Sequence, residues 1–294
     1  MKQIAIIGST ASGKTGLSLE IAKKTNSVIL SLDSLSVYKE INIASAKPTK
    51  NERGDILHFG IDEVYPNEEF DVIKFLECYE KTKDFAMKYD KNIIIVGGTG
   101  FYLKALTDGL SPGIDLKVKL NENEIEDTYN FLYSIDKTYM EKIEKNDKYR
   151  IEKAISIYKQ TNQTPTQFFN ENEKKPLCPD LKIFEILWDK EELRKRVALR
   201  TNIMMNDGII DEVIYLENKY TRKPNCMGSI GIVETLQYLD SKIDKKELEE
   251  KIVLNTMKLA KRQNTFNKGQ FSNTQKTSDI IGNLNSEILK YFSL

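Results

Sequence analysis

The feature that most restricts the fold lies at the N-terminus. An apolar run, Gln3 to Ile7, leads directly into Gly8-Ser9-Thr10-Ala11-Ser12-Gly13-Lys14-Thr15. The octet fits G-x-x-x-x-G-K-[ST], and its context is a strand before and a helix after, predicted over Lys14 to Thr25. The chemistry explains the residue types. Glycines let the backbone curl until its N–H groups converge on an anion. The helix N-terminus adds partial positive charge. Lys14 brings a full charge, and the Thr15 hydroxyl suits Mg²⁺. A chance glycine-rich turn would lack the flanking strand and helix. The octet therefore predicts a di- or triphosphate site formed by Gly8, Ser9, Thr10, Ala11, Ser12, Gly13, Lys14 and Thr15. Which bond breaks there is left open.

A strand feeding a phosphate loop implies a parallel α/β sheet with helices on both faces. Further buried strands are predicted at Val28 to Leu32, Asn92 to Val96 and Ile183 to Leu187, with an amphipathic helix over Asp71 to Tyr89. The texture changes after Ser111-Pro112-Gly113. Residues 115–179 hold no strand-like run. Short helices are expected at Ile125 to Leu132, Asp136 to Ile143 and Tyr149 to Tyr158. The expected organisation is a core of residues 1–114 and 180–294 interrupted by a small all-helical insertion at 115–179. Beyond Asp189 the chain reads as helical: Glu191 to Asn206, Ile209 to Tyr220, Ile230 to Leu239, and Lys245 to about Phe266.

Composition removes several classes of chemistry. The net charge is zero, so a polyanion partner must be met by local clusters. The three cysteines are far apart and His58 is the only histidine. A Cys/His zinc site and any two-histidine mechanism are thereby disfavoured. The apolar N-terminal run is too short for a secretion signal, and no stretch reaches bilayer length. A reducing cytoplasmic setting and a monomer are expected.

Three groups of side chains carry the remaining signal. Asp33 ends a predicted strand, where carboxyl ends open onto the ligand crevice of such sheets. It could take a proton or bind a cation, or simply cap a turn; position alone leaves these even. Arg196 and Arg200 share a helix face at i, i+4 and could hold a diphosphate, although spacing alone favours a solvated charged face. From Ile252 to Ser278 there is no acidic residue, while Lys258, Lys261, Arg262, Lys268 and Lys276 alternate with Phe266 and Phe271. Such a stretch can follow a phosphate backbone or be one solvated helix face. Lys117 and Lys119 are weaker candidates of the same kind, and His58 reads as a local hydrogen-bonding residue.

Four longer motifs give a resemblance. Asp33-Ser34-Leu35-Ser36-Val37-Tyr38-Lys39 running into Asn42-Ile43-Ala44-Ser45-Ala46-Lys47-Pro48 is the first. Gly97-Gly98-Thr99-Gly100-Phe101-Tyr102 with Ala105-Leu106 is the second. Arg196-Val197-Ala198-Leu199-Arg200 with Met204, Gly208 and Glu212-Val213 is the third. Ala260-Lys261-Arg262-Gln263-Asn264-Thr265-Phe266 is the fourth. In this order, with Asn146-Asp147 and Arg150 between them, they resemble the tRNA dimethylallyltransferase (IPP transferase) family. The resemblance implies a P-loop core and a helical insertion that embraces the tRNA anticodon stem-loop. It implies dimethylallyl diphosphate as donor with Mg²⁺, held partly by Thr15, and Arg196 and Arg200 closing over the diphosphate. The acceptor is then N6 of adenine 37. Asp33 matches the family's general base and Thr99 an assisting residue. Asp33, Ser34, Leu35, Ser36, Thr99, Lys119, Arg150, Lys261, Arg262 and Gln263 are expected to face tRNA. The chain departs from the family at Ser229-Ile230-Gly231-Ile232-Val233-Glu234, where the pattern has an aromatic and a basic residue in place of Ile232 and Val233.

Alternatives from the residues themselves are a P-loop small-molecule kinase, a nucleotide switch, and a prenyltransferase acting on free adenine nucleotides. A kinase does not predict Ala46-Lys47-Pro48 or Lys261-Arg262-Gln263. A guanine-reading N-K-x-D beside a strand is missing. The insertion and the basic terminal helix favour a macromolecular acceptor.

Overall fold

The structure, a computed structural model, describes residues 1–111, 113, 118–271, 274–277 and 284–293. Pro112, the expected domain boundary at 115, Lys117 and the Lys276 side chain lie outside the described residues. The chain divides into two compact units, Met1–Leu106 with Asp180–Leu294, and Thr107–Pro179.

Among the described residues the first unit holds six strands: β1 (Gln3–Gly8), β2 (Ser27–Leu32), β3 (His58–Phe59), β4 (Asn92–Gly97), β5 (Lys182–Ile186) and β6 (Gln275–Thr277). Their order is β3-β2-β4-β1-β5-β6, and every pairing is parallel. The apolar runs fit this arrangement, because inner strands of a parallel sheet are covered on both faces. Ile4, Ala5, Ile6, Leu30, Ile93, Ile94 and Ile95 are fully buried. The pairings Ile7↔Gly97 and Leu32↔Gly97 align three strand ends. The phosphate loop, Asp33 and the glycine turn after β4 therefore emerge at one edge of the sheet.

Helix α1 (Lys14–Lys24) joins β1 to β2. The link from β2 to β4 holds α2 (Lys50–Arg53), β3 and α3 (Val72–Lys88); Asp71 caps α3 by accepting the Lys74 N–H at 3.0 Å. Helix α4 (Gly100–Asp108) follows β4. After β5 come α9 (Lys190–Asn206), α10 (Ile209–Tyr220), a 3₁₀ turn at Asn225–Gly228, α11 (Ile232–Leu239) and α12 (Lys245–Gln270), with α13 (Asn285–Ser293) near the end. These carry a second core in which Ile41 and Ala44 pack with Met204, Ile209, Val213, Ile232 and Ile252. Ile232 is wholly buried there. At the departure from the family pattern, the aliphatic side chain thus serves packing. Helix α11 starts later than its apolar run suggests, at Ile232, because Gly231 turns the chain with φ 92°. Among the described residues no helix is long and apolar enough to cross a membrane.

The second unit holds α5 (Glu122–Ile135), α6 (Lys137–Met140), α7 (Lys148–Thr161) and α8 (Pro165–Glu171), around Tyr129, Leu132, Met140, Ile151 and Ala154. Two buried carboxylates tie it together. Asp136 accepts the Tyr139 N–H at 3.1 Å and the Thr166 N–H at 2.6 Å, joining the starts of α6 and α8. Glu152 accepts the Leu120 N–H at 2.8 Å.

Candidate active site

The aligned strand ends open into a cavity of about 600 Å³. Its walls include Thr10, Lys14 and Thr15 from the phosphate loop and α1, Asp33 to Ser36 after β2, and Ala44 to Pro48. Gly97 to Phe101, Arg200 on α9, and Arg262, Gln263 and Phe266 on α12 complete them.

The loop is an anion cradle held from outside. Ala11 and Gly13 sit in the left-handed region, at φ 61° and 91°. Two carbonyls are held outward: Ala11 O accepts from Arg196 Nε at 2.9 Å, and Ser12 O accepts from Trp188 Nε1 at 3.0 Å. The Arg196 guanidinium also lies over the Trp188 ring, 4.6 Å from its centre. Because a peptide is planar, turning the Ser12 carbonyl outward turns the Gly13 N–H the other way. Lys14 Nζ donates to Gly8 O at 3.0 Å, Ser9 O at 2.6 Å and Ser12 Oγ at 3.2 Å. Loss of hydration in the cavity and repulsion from Arg200 lower the Lys14 pKa to about 7, against a raising influence from Asp33. Burial also lowers Arg200, and Asp33 again opposes. Both cations are thus short of negative charge, as a site built for a polyanion should be.

The two arginines have different duties. Arg196 braces the outside of the loop. Arg200 reaches across the cavity, donating from Nη1 to Thr10 Oγ1 and from Nη2 to Ser45 O, each at 3.3 Å. Spacing on one helix face was the available signal; the difference between them comes from tertiary position.

Asp33 fills the capping role that its position allows. Its Oδ1 accepts the N–H groups of Leu35 at 2.8 Å and Ser36 at 3.0 Å, so it caps the turn. No hydrogen bond among the described residues uses Oδ2. The cap therefore fixes the plane of the carboxylate and leaves one oxygen for the cavity. Thr99 is tied through its backbone, its N–H donating to Leu32 O at 3.0 Å. It is one of the residues that line the cavity.

Gln263, expected at a tRNA surface, joins two loops. Its Oε1 accepts the Thr10 N–H at 2.9 Å and its Nε2 donates to Gly98 O at 3.1 Å. The glycines of the turn after β4 make room for this helix. A Cβ on Gly98 would stand 2.4 Å from Gln263 Nε2, and one on Gly100 would stand 2.6 Å from the Phe266 ring. The next turn of α12 sets Asn267 against the buried Glu185 of β5, Nδ2 to Oε1 at 3.0 Å.

Of the other expected tRNA residues, Asp33 to Ser36 and Thr99 line the cavity. Arg262 is exposed and lines it; Lys261 is exposed and does not. Lys119 lies 3.8 Å from Glu152 and Arg150 lies 3.4 Å from Asp147, both in the helical unit. Sequence reasoning passed over two residues of the site. Trp188 follows β5 with no pattern to mark it. Lys47 belongs to a quoted motif, yet its burial and its bonds to Tyr38 O at 2.9 Å and to Asp62 have no local signature. His58 pairs Nδ1 with Ile56 O at 2.8 Å, and burial lowers its pKa.

Comparison with known proteins is consistent across three levels. The family described as IPP transferase matches residues 36–270. A protein of Aliarcobacter butzleri named tRNA dimethylallyltransferase is 72% identical over 294 residues, covering 100% of both chains. The crystal structure of a tRNA isopentenylpyrophosphate transferase from Bacillus halodurans superposes with TM-score 0.73 at 26% identity, covering 99% of this chain and 94% of that one. A eukaryotic dimethylallyltransferase described as acting on tRNA superposes with TM-score 0.80 at 26% identity, over 98% of this chain and 77% of that one.

Proposed function

The chain belongs to the IPP transferase family, and from that premise we propose that it moves a dimethylallyl group from dimethylallyl diphosphate to N6 of adenine 37 in tRNA. The observation that carries the proposal is one cavity in which a phosphate cradle and a capped carboxylate meet. An exocyclic amine is a weak nucleophile because its lone pair is delocalised into the ring. Its attack on the allylic carbon forms the N6–C bond and breaks the C–O bond, whose electron pair leaves with diphosphate. Asp33, through Oδ2, takes the amine's proton, a contribution of about 10²–10⁴-fold. Lys14, Arg200 and the loop amides hold the departing charge. The extruded base enters on the side of Asp33 to Ser36, Thr99 and Arg262. Lys119 and Arg150 of the helical unit, with Lys261, meet the stem-loop phosphates.

Mg²⁺ fits these residues in a particular way. Among the described residues no group of three His, Cys, Asp or Glu could hold a metal. Mg²⁺ commonly keeps waters and takes one or two protein oxygens plus substrate phosphates. The Thr15 hydroxyl, in the same cavity as the cradle, suits that pattern and would be the protein oxygen that holds the cation. When bound, the cation neutralises charge on the diphosphate.

The test is nucleoside mass analysis of tRNA incubated with the pure protein, dimethylallyl diphosphate and Mg²⁺. N6-isopentenyladenosine is expected. Phosphate transfer from labelled ATP without prenylated tRNA would refute the proposal, as would prenylation of AMP in preference to tRNA.

A further inference from the structure

Glu212 belongs to the third motif but is not itself one of the residues that line the cavity. It stands in the first turn of α10 and does not cap that helix. Its carboxylate accepts three consecutive backbone N–H groups from across the fold. Oε2 takes Asn42 at 2.7 Å and Ile43 at 2.8 Å, and Oε1 takes Ala44 at 2.9 Å. Three successive amides converging on one anion form a nest. Among the described residues no lysine or arginine forms an ion pair with Glu212, so the backbone alone satisfies it. Bonds to a charged acceptor are shorter and stronger than neutral ones.

The segment held this way leads directly into the cavity wall. Its next residue, Ser45, presents the carbonyl that receives Arg200 Nη2, and the other end of the guanidinium meets Thr10 Oγ1. A continuous path thus runs from Glu212 through the Asn42–Ala44 amides and Ser45 O to Arg200 and the phosphate loop. Arg200 is long, and both its bonds to the wall measure 3.3 Å. Its aim therefore depends on where the Ser45 carbonyl stands.

We propose that Glu212 is a positioning residue for the diphosphate. By filling the Asn42–Ala44 amide nest it sets the Ser45 carbonyl, and the carbonyl aims Arg200 at the anion. The proposal rests on the diphosphate reading of the cradle. The segment has a second anchor, since Ile41 and Ala44 pack against Ile209 and Val213 of the neighbouring core. Removing the carboxylate loosens the register of the wall without releasing the segment, so the variants are expected to fold.

The experiment is calorimetric titration of the full chain with inorganic diphosphate and Mg²⁺, on wild type, Glu212→Ala, Glu212→Gln, Arg200→Ala and the double variant. Melting temperature serves as the fold control. Glu212→Ala is expected to weaken diphosphate about five- to twentyfold. Glu212→Gln keeps one carbonyl acceptor and is expected to fall between. In the double variant the losses should not add, because Glu212 acts through Arg200. A Glu212→Ala protein that binds diphosphate as wild type does, with only a lower melting temperature, would overturn the assignment. So would fully additive losses. If the wild-type protein itself bound no diphosphate, the fault would lie with the reading of the cradle.

Discussion

Lys14 makes the cradle pH-dependent in a direction that can be worked out. In the donor-free site its pKa is lowered to about 7, by lost hydration first and by Arg200 second. A bound diphosphate reverses the balance by placing negative charge against the ammonium, which raises the pKa. The donor complex therefore holds a proton that the free protein has lost above pH 7. Binding takes up that proton, so affinity is full below the free pKa and falls as pH rises through it. If the complex keeps Lys14 charged up to about pH 10, Kd should rise about fiftyfold between pH 7 and pH 9, close to tenfold per unit at the upper end. At pH 8 binding should take up about 0.9 proton. The donor's own phosphate titrates near ~6 and stays ionised over this range. Calorimetric titration at pH 7, 8 and 9, in two buffers of different ionisation enthalpy, gives both quantities. Lys14→Arg provides the contrast, since a guanidinium does not lose its proton here; its affinity should be flat with pH. A wild-type Kd constant within twofold over the range, with no proton uptake, would refute the reasoning.

Asp33→Asn keeps an oxygen for the Leu35 and Ser36 amides but removes the base; single-turnover prenylation should slow by about 10²–10⁴-fold while donor affinity stays within twofold. Gly100→Ala drives a Cβ to 2.6 Å from the Phe266 ring, and an overpacked contact of this kind should cost about 1–3 kcal/mol, read as a shift in the denaturation midpoint. Gln263→Ala breaks the link between Thr10 N–H and Gly98 O; donor affinity should fall while tRNA affinity, measured by filter binding, holds. Loss of tRNA affinity with donor binding intact would return Gln263 to the tRNA surface.

Much of this arrangement was legible because it is local. The apolar runs around Ile4 to Ile6 and Ile93 to Ile95 are long enough to announce buried strands, and the octet after β1 carries its own chemistry. The features that escaped depend on distant partners. Strands β3 and β6 span two and three residues, too few to show a period. Helix α8 did carry a local sign, the Thr164 and Gln167 capping box with Pro165 between them. For Asp33, position alone left a turn cap and a carboxylate that takes a proton or binds a cation as rivals; the structure shows the cap, and it occupies only one of the two oxygens. The use of Gln263 had no signature in the chain, because its partner Thr10 is 253 residues away. The same holds for Glu212, whose three amides belong to a turn about 170 positions earlier.

The bridge from Gln263 to Thr10 also bears on how the protein comes into being. As the ribosome releases the chain from its N-terminal end, the phosphate-binding octet emerges 253 residues ahead of the side chain that braces it. Until α12 leaves the exit tunnel, the octet lacks the side chain that ties it to the Gly98 turn. A nascent polypeptide that stops short of α12 would thus carry the motif without its working shape, and capture of the donor would await that helix.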